Sequence, residues 1–369
     1  MSVKIQVVGT TYSVHFWRWC NYLKKAGFAP SVVSIRPRED ISGDISYDGF
    51  PYRSQNDDEI SFKKRPIHAL ECVVKNWFDI IFGGYAFVNL HQMSFYRALL
   101  SLLSPCKTVI TCWGSDILVV YKNMTGLKKT IYDLALRKAA VITVDGDSVR
   151  QTITDRCSGI DAEKIKMVYW GINTDIFHRV STDEKASIRA SFCIPKDAVV
   201  LFSPRTLRPL YRIHEIVDWF ATACAGHNVY LVLHSFPLPD EEYSCSVIKK
   251  AKDIPNVILH IENSSTEEMA RLYQLADLCL HFPESDATPV SMLEGFACGA
   301  GVVCNSKIPA YQKLAEKFQI NLTDLCCLDY RMLDKMRGNM SGSAVANYEA
   351  VAKEFSDGAT VLALRAILV

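Results

Sequence analysis

The segment FPESDATPVSMLEGFACGAGVV, residues 282–303, carries two carboxylates eight positions apart, Asp286 and Glu294. Between them, Thr288-Pro289 reads as a helix N-cap followed by proline at the first helical position, and Gly299 closes the helix. Val290, Leu293, Glu294 and Ala297 then fall at i, i+3, i+4 and i+7, on the face that packs against a sheet. An unpaired carboxylate on that face costs roughly several kcal/mol, so Glu294 needs a partner. Two accounts supply one. Either a neighbouring Lys or Arg pairs with it, or it accepts hydrogen bonds from ligand hydroxyls. In the second account the backbone N–H groups of Val290 and Ser291, at the helix start, receive a phosphate.

The elements that must position these residues alternate along the chain. VKIQVVG (3–9), SVVSI (31–35), DIIFGG (79–84), KTVITCWG (107–114), AAVITVDG (139–146) and KIKMVYW (164–170) read as strands. HFWRWCNYLKKAGF, SFYRALLSLL and LKKTIYDLALRKA, between them, have amphipathic helical spacing. The pattern restarts after the polar stretch 178–198, with strands VVLFSP, NVYLVLHS, NVILHIE, LCLHFP and GVVCNS separated by helical segments. Such β-α-β alternation argues for parallel sheets covered on both faces. The expected organisation is a first α/β domain over 1–177, a second over 178–350 and a C-terminal helix over 351–369 that packs back on the first. Ligands of open parallel sheets collect outside the carboxyl ends of strands, where Ser203, Pro204, Arg205, Asp286 and Thr288 fall.

At 369 residues, with 49% hydrophobic and 22% charged residues, the chain is an ordinary globular protein of two domains. No stretch has the apolar length of a membrane span, and the N-terminus reads as a first strand rather than a signal peptide, so a cytoplasmic location is expected. Thirteen cysteines without CxxC pairs argue against a zinc site and for reduced, mostly buried thiols. The net charge of +1 hides an imbalance: residues 61–140 hold 11 basic and 4 acidic residues, including Lys63, Lys64 and Arg65. Such a surface suits an anionic membrane or a phosphorylated acceptor, the alternative being a solvated basic face. Base-reading motifs are missing, so nucleic acid is not an expected partner. No GxGxxG follows either first strand, which argues against a dehydrogenase.

Three segments resemble a known family. TCWGSDI (111–117) is similar to the first-domain turn written HGxD; KIKMVYWGINTDIF (164–177) resembles the hinge; SDATPVSMLEGFACGAGVV resembles the carboxylate pair separated by seven residues. Together they resemble the retaining, nucleotide-sugar-dependent glycosyltransferases of group 1, over nearly the whole chain. The resemblance implies the GT-B fold, two doubly wound Rossmann-like domains facing a cleft. It also implies that Glu294 binds the nucleotide ribose, that Asp286 touches hydroxyls of the transferred sugar, and that the residues between them, Thr288, Pro289, Val290 and Ser291, lie against the diphosphate. The donor would be a UDP-sugar or GDP-sugar, with no metal or other cofactor.

A diphosphate calls for cations, and SPRTLRPLYRIHEI (203–216) supplies Arg205, Arg208 and Arg212 in a strand-to-helix turn. Arg205 matches the family's arginine. The lysine that usually follows is absent, so Arg212 or Arg208 stands in; a surface arginine at a helix start is the plainer reading of each. Asp286 replaces the commoner glutamate, and Trp113 takes the place of a histidine, where it stacks on a sugar or packs in the core. Asp116 matches the aspartate of that turn, structuring the loop or meeting the acceptor. Gly9 and His15 border the donor, or His15 is a helix-start cap. The chemistry implied is same-face attack in which the leaving diphosphate takes the acceptor's proton, so that positioning and charge stabilisation suffice. The expected acceptor is a glycan or polyprenyl-diphosphate-linked glycan of surface polysaccharide synthesis, such as O-antigen or capsule. The alternatives are another GT-B enzyme, a 2-epimerase or phosphorylase, and a non-catalytic relative that binds a nucleotide sugar or a protein.

Overall fold

The computed structural model describes residues 2–10, 13–34, 52–54, 66–237 and 242–368. The basic run Lys63–Arg65 and the acids Asp240 and Glu241 lie outside them. The chain folds as two compact units, Met1–Trp170 with Gly358–Val369, and Gly171–Asp357.

The first unit runs β1 (Val3–Gly9), α1 (Val14–Lys25), β2 (Phe28–Ser34), β3 (Tyr52–Ser54), α2 (Pro66–Phe82), β4 (Phe87–His91), α3 (Phe95–Leu103), β5 (Lys107–Thr111), α4 (Gly126–Lys138), β6 (Val141–Val144), α5 (Asp147–Arg156) and β7 (Ile165–Met167). Its seven strands lie in the order β3-β2-β1-β4-β5-β6-β7, all parallel. Val8, Val33, Val88 and Leu90 of the sheet meet Cys72, Val73 and Ile80 of α2 and Tyr96 and Leu100 of α3 in one core.

The strand expected at 79–84 is the end of α2; the strand of this region is β4, eight residues on. Asp79-Ile80-Ile81-Phe82 is a short apolar run, and such a run fits a buried strand or a helix turn equally well. Its helical neighbours decide the matter: Ala69, Cys72, Val73, Asn76 and Ile80 are buried at helical spacing.

The second unit contains α6 (Thr182–Ser191), β8 (Val199–Ser203), α7 (Ile213–Ala223), β9 (Val229–Ser235), α8 (Glu242–Lys252), β10 (Val257–Ile261), α9 (Thr266–Leu275), β11 (Leu278–His281), α10 (Val290–Ala297), β12 (Gly301–Asn305), α11 (Pro309–Leu314), β13 (Asn321–Thr323), α12 (Tyr330–Gly338) and α13 (Met340–Glu354). The strands form a parallel sheet in the order β10-β9-β8-β11-β12-β13. Leu201, Leu231, Leu233, Leu280 and Val303 of the sheet pack on Ile216, Val217 and Phe220 of α7. A capping box between Ser265 and Glu268 starts α9.

One charged cluster ties this unit's own elements together. Asp277, just before β11, accepts from Lys185 at 2.9 Å and pairs with Arg189 at 2.7 Å, while its other oxygen takes the Val200 amide at 2.9 Å. Burial opposes the carboxylate's charge, but Lys185 and Arg189 outweigh it and hold its pKa below the usual value. The last helix, α14 (Asp357–Leu368), returns to the first unit, where Thr360 Oγ1 donates to Tyr169 O at 3.0 Å.

Candidate functional site

In a doubly wound sheet the crevice opens where strand order reverses. In the second unit the order turns from descending to ascending between β8 and β11, and the segments leaving those two strands carry Arg205 and Asp286. Arg205 Nη2 pairs with Asp286 Oδ2 at 2.9 Å, each side chain about one-seventh exposed, at 14%. Its Nη1 donates to Ser291 Oγ at 3.0 Å, and its guanidinium lies 4.2 Å from the centre of the Tyr211 ring. Burial works against the Arg205 cation, yet Asp286 and the surrounding tyrosines more than offset it and raise its pKa.

Asp286 is held from three sides. Besides Arg205, Tyr311 OH of α11 donates to Oδ2 at 2.9 Å, and the Ala287 amide donates to Oδ1 at 3.0 Å. Burial and then the Asp286 charge push the Tyr311 phenol well up, so the hydroxyl stays a donor.

Helix α10 starts one residue later than the sequence suggests: Pro289, with ψ 122°, is the N-cap, and Thr288 lies outside the helix, buried. The Met292 and Leu293 amides donate back to Pro289 O, and the amides of Val290 and Ser291 head the helix without a backbone acceptor among the described residues. Gly299, at φ +80°, ends it in the left-handed conformation that Gly adopts without strain. Glu294 is buried, 7% exposed, and Tyr273 OH donates to its Oε2 at 3.1 Å. A phenol from α9 is thus one partner of this acid, and the sequence had not marked it. Burial, then Glu294, raise the Tyr273 pKa well above its usual value.

The other two arginines are engaged elsewhere. Arg212 has a left-handed backbone, φ 53°, and its guanidinium forks onto both carboxylate oxygens of Glu215, Nε to Oε1 at 2.7 Å. Arg208 lies 6.0 Å from the centre of the Phe236 ring. Beneath Arg205's neighbourhood, His281 at the end of β11 is fully buried, with both ring nitrogens unbonded among the described residues. Burial first, and the Arg205 charge second, drive its pKa well below the usual range, so the imidazole is neutral.

In the first unit the order reverses between β1 and β4. Gly9 ends β1 against Phe16: a Cβ there would lie 2.1 Å from the ring, so glycine is set by the approach of α1. His15 lies with its ring centre 5.4 Å from that of Trp170 and 6.4 Å from that of Trp113. Trp113 Nε1 donates to His91 Nδ1 at 3.2 Å; His91 Nε2 meets Asn89 Oδ1 at 3.1 Å, an oxygen that also accepts from Trp19 Nε1 at 2.8 Å. Asn89 Nδ2 donates in turn to Thr111 Oγ1 at 2.8 Å. The indole donor assigns His91 its proton on Nε2. Burial, then Arg97, hold His91 neutral, with its pKa well below the usual value. Asp116 is a loop-builder: its two oxygens accept the amides of Met93, 2.7 Å, and Trp113, 2.9 Å. Burial raises its pKa, and these amides pull the other way.

The structure therefore brings Arg205, Asp286 and Ser291 together, sets Val290 at the head of the same helix, and gathers His15 and Trp113 separately in the other unit. Tyr311, Tyr273 and Tyr211 were not foreseen, because nothing in IPAYQKL or RPLYRI marks a tyrosine as a ligand of an acid or an arginine. His91 escaped because its strand was expected at 79–84.

Residues 4–146 match the family model described as glycosyl transferase 4-like. No curated protein sequence matches the chain. Among solved structures, HepE of Anabaena in complex with UDP and glucose is similar with TM-score 0.74 and 13% identity, over 99% of both chains. A glycosyltransferase from Rickettsia africae gives 0.78 at 15% identity, over 100% of this chain and 99% of that one. Sucrose-phosphate synthase from Thermosynechococcus elongatus gives 0.79 at 13% identity, over 99% and 98%. The chain has the two-Rossmann-domain GT-B fold, and its residues 4–146 are similar to the glycosyl transferase 4-like family.

Proposed function

We propose that the chain is a retaining, metal-independent glycosyltransferase that moves a hexose from a nucleotide-diphosphate sugar to a glycan or lipid-linked glycan of a surface polysaccharide such as O-antigen or capsule. One observation carries the reading: Arg205, fixed by Asp286 and Ser291, stands beside the start of a helix whose first two amides lack backbone acceptors. A cation joined to a helix N-terminus is a place for a pyrophosphate. The likeness to Anabaena HepE, solved with UDP and glucose and with UDP-glucose, agrees with such a donor.

In this reading the chemistry needs no side-chain nucleophile. As the bond from the anomeric carbon to the diphosphate oxygen breaks, negative charge grows on the leaving group, and Arg205 with the Val290 and Ser291 amides stabilises it. The acceptor hydroxyl attacks from the same face and passes its proton to the departing phosphate oxygen. Asp286 has its Oδ2 occupied by Arg205 and Tyr311, so it chiefly orients the arginine. Oδ1, which accepts one amide, keeps a lone pair for a sugar hydroxyl. Glu294 Oε2 carries the Tyr273 hydroxyl and faces the ribose. Arg212 and Arg208 are secondary donor contacts. The aromatic cluster of His15 and Trp113 serves the acceptor.

The test is thermal shift with UDP, GDP and their sugars, followed by assay of nucleotide release. The midpoint rises with one nucleotide family, by about 2.7 kcal/mol of linkage at a hundredfold excess over the dissociation constant. Nucleotide is released only when acceptor is present. Absence of any shift removes the donor reading; a shift without acceptor-dependent release favours the non-catalytic relative, which the occupied Oδ2 of Asp286 would also suit.

A further inference from the structure

Helix α2 has a second apolar face. Ala69, Cys72, Val73 and Ile80 point into the core, while Ile67, Leu70, Val74, Phe78, Ile81 and Phe82 are exposed, Ile67 by 76% and Phe82 by 78%. The steps from 67 to 70, 74, 78 and 81 are three or four residues, so these side chains form one stripe along about 25 Å of helix. A helix covering a single core has a polar outer face; on this one Glu71 and Lys75 are exposed among the apolar side chains. Phe78 and Phe82 stack at 6.1 Å, and Trp77 beside them donates its Nε1 to Leu103 O at 2.9 Å. Leu103, 50% exposed, continues the patch onto α3.

The rim of the patch is basic. Lys138 Nζ caps the end of α3 by donating to Leu102 O at 2.6 Å and Ser104 O at 2.9 Å. Lys75 is exposed on α2. In the sequence Lys63, Lys64 and Arg65 immediately precede α2. Of the acids nearby, Asp79 accepts from Gln6 at 2.6 Å, Asp133 takes Lys129 and Tyr121, each at 2.6 Å, and Glu71 is exposed on α2, one turn before Lys75. No helix among the described residues is long and apolar enough to cross a membrane.

We propose that the outer face of α2, with Leu103 and its lysine rim, is a docking surface for an anionic lipid bilayer, Phe78, Ile81 and Phe82 entering the headgroup region. Apolar side chains ringed by lysines suit such a surface, where the hydrophobic and the electrostatic contributions act together. A second copy of the chain is a poorer occupant, because two-fold pairing would set one positive rim against another. Docking needs no assumption about the donor; under the proposed function it places the acceptor-side unit at a lipid-linked substrate.

Flotation of the full chain with phosphatidylcholine vesicles, with and without phosphatidylglycerol, tests this. Binding is expected with phosphatidylglycerol and weakens at high salt. F78S/F82S lowers the bound fraction roughly tenfold or more, and K75E lowers it only on the anionic vesicles. Both variants keep the thermal shift given by nucleotide, which shows that they fold and that loss of docking is separate from loss of the donor site. Equal binding by F78S/F82S, or no binding by the unaltered chain, overturns the proposal. So does a dimer in sedimentation that F78S/F82S converts to monomer.

Discussion

The two units place different chemistry at the same topological position. At the β8/β11 reversal the second unit holds formal charge: a guanidinium within hydrogen-bond reach of a carboxylate and of a serine in the first turn of α10. At the β1/β4 reversal the first unit holds a neutral chain, Trp113 to His91 to Asn89 to Thr111, under a layer of aromatic rings. A charged guest rewards the first arrangement and an uncharged, ring-shaped guest the second. The fold thus supplies a strand-order reversal in each unit, and under the proposed function residue type divides their tasks.

The largest effect expected from breaking this contrast is at Arg205. Under the proposed function, Arg205→Ala removes the cation that meets the leaving group and leaves Asp286 only Tyr311 and the Ala287 amide, so transfer falls by about 10²–10³-fold and the nucleotide-induced thermal shift disappears. Arg205→Lys keeps the charge but loses the fork and recovers only part of the rate. Steady-state kinetics with the thermal shift decide the matter. If Arg205→Ala still binds nucleotide as the parent does, the charged crevice is not the donor's.

A charged cluster away from the crevice sharpens the comparison next. Asp277, paired with Lys185 and Arg189, has no ligand to serve. Asp277→Asn leaves the buried Arg189 and the half-buried Lys185 uncompensated and costs about 3 kcal/mol in urea unfolding, with donor affinity unchanged in the folded protein. Its folded pKa is depressed, so its contribution is complete above the unfolded carboxylate pKa and is lost as pH falls through the folded value. The parent should therefore lose stability below about pH 4 more steeply than Asp277→Asn.

How much of each crevice could be read from sequence follows from its chemistry. Asp286, Thr288–Ser291 and Glu294 lie on one turn and the helix that follows it, so nine residues of sequence display them together. Parallel-strand alternation was likewise legible, because buried strands read as continuous β-branched runs. The aromatic crevice is drawn from the ends of β1, β4, β5 and β7, and no local spacing joins His15, His91, Trp113 and Trp170. Tyr311 and Tyr273 were invisible for the same reason: each reaches its carboxylate across more than twenty residues of chain. The Thr288 cap was misplaced by one position, since proline itself has the extended backbone that an N-cap requires.

Histidines compare the units on a smaller scale. His91 in the first unit and His281 and His234 in the second are all held neutral by burial, His234 down to about 4. A depressed histidine pKa means that the unfolded chain takes up a proton near pH 6.5 that the folded chain refuses. Stability is then full above that pH and declines below it by about 1.4 kcal/mol per pH unit for each group. His281→Leu should flatten the decline between pH 6.5 and 5 by about one proton, because its ring nitrogens hold no partner among the described residues. His91→Gln should flatten it equally but start from lower stability, since Trp113 loses its acceptor. Urea unfolding across pH measures both; an unchanged slope in either variant means that the histidine is protonated in the fold.

The smallest effect separates the two tasks of Trp113. Its indole N–H fixes the His91 tautomer, and its ring lies edge-on to Trp170 at 5.6 Å. Trp113→Phe removes the first and keeps much of the second. Losing one buried hydrogen bond costs about 1 kcal/mol of stability. If the ring is the acceptor's platform, Trp113→Phe changes the acceptor KM only about threefold while Trp113→Ala raises it tenfold or more, roughly the value of one aromatic face. Donor affinity should be the same in both, because the donor crevice belongs to the other unit. Equal acceptor defects in the two variants would instead assign the function to the hydrogen-bonded chain through His91, and the contrast between a charged and a stacking crevice would give way to one between a charged and a neutral polar one.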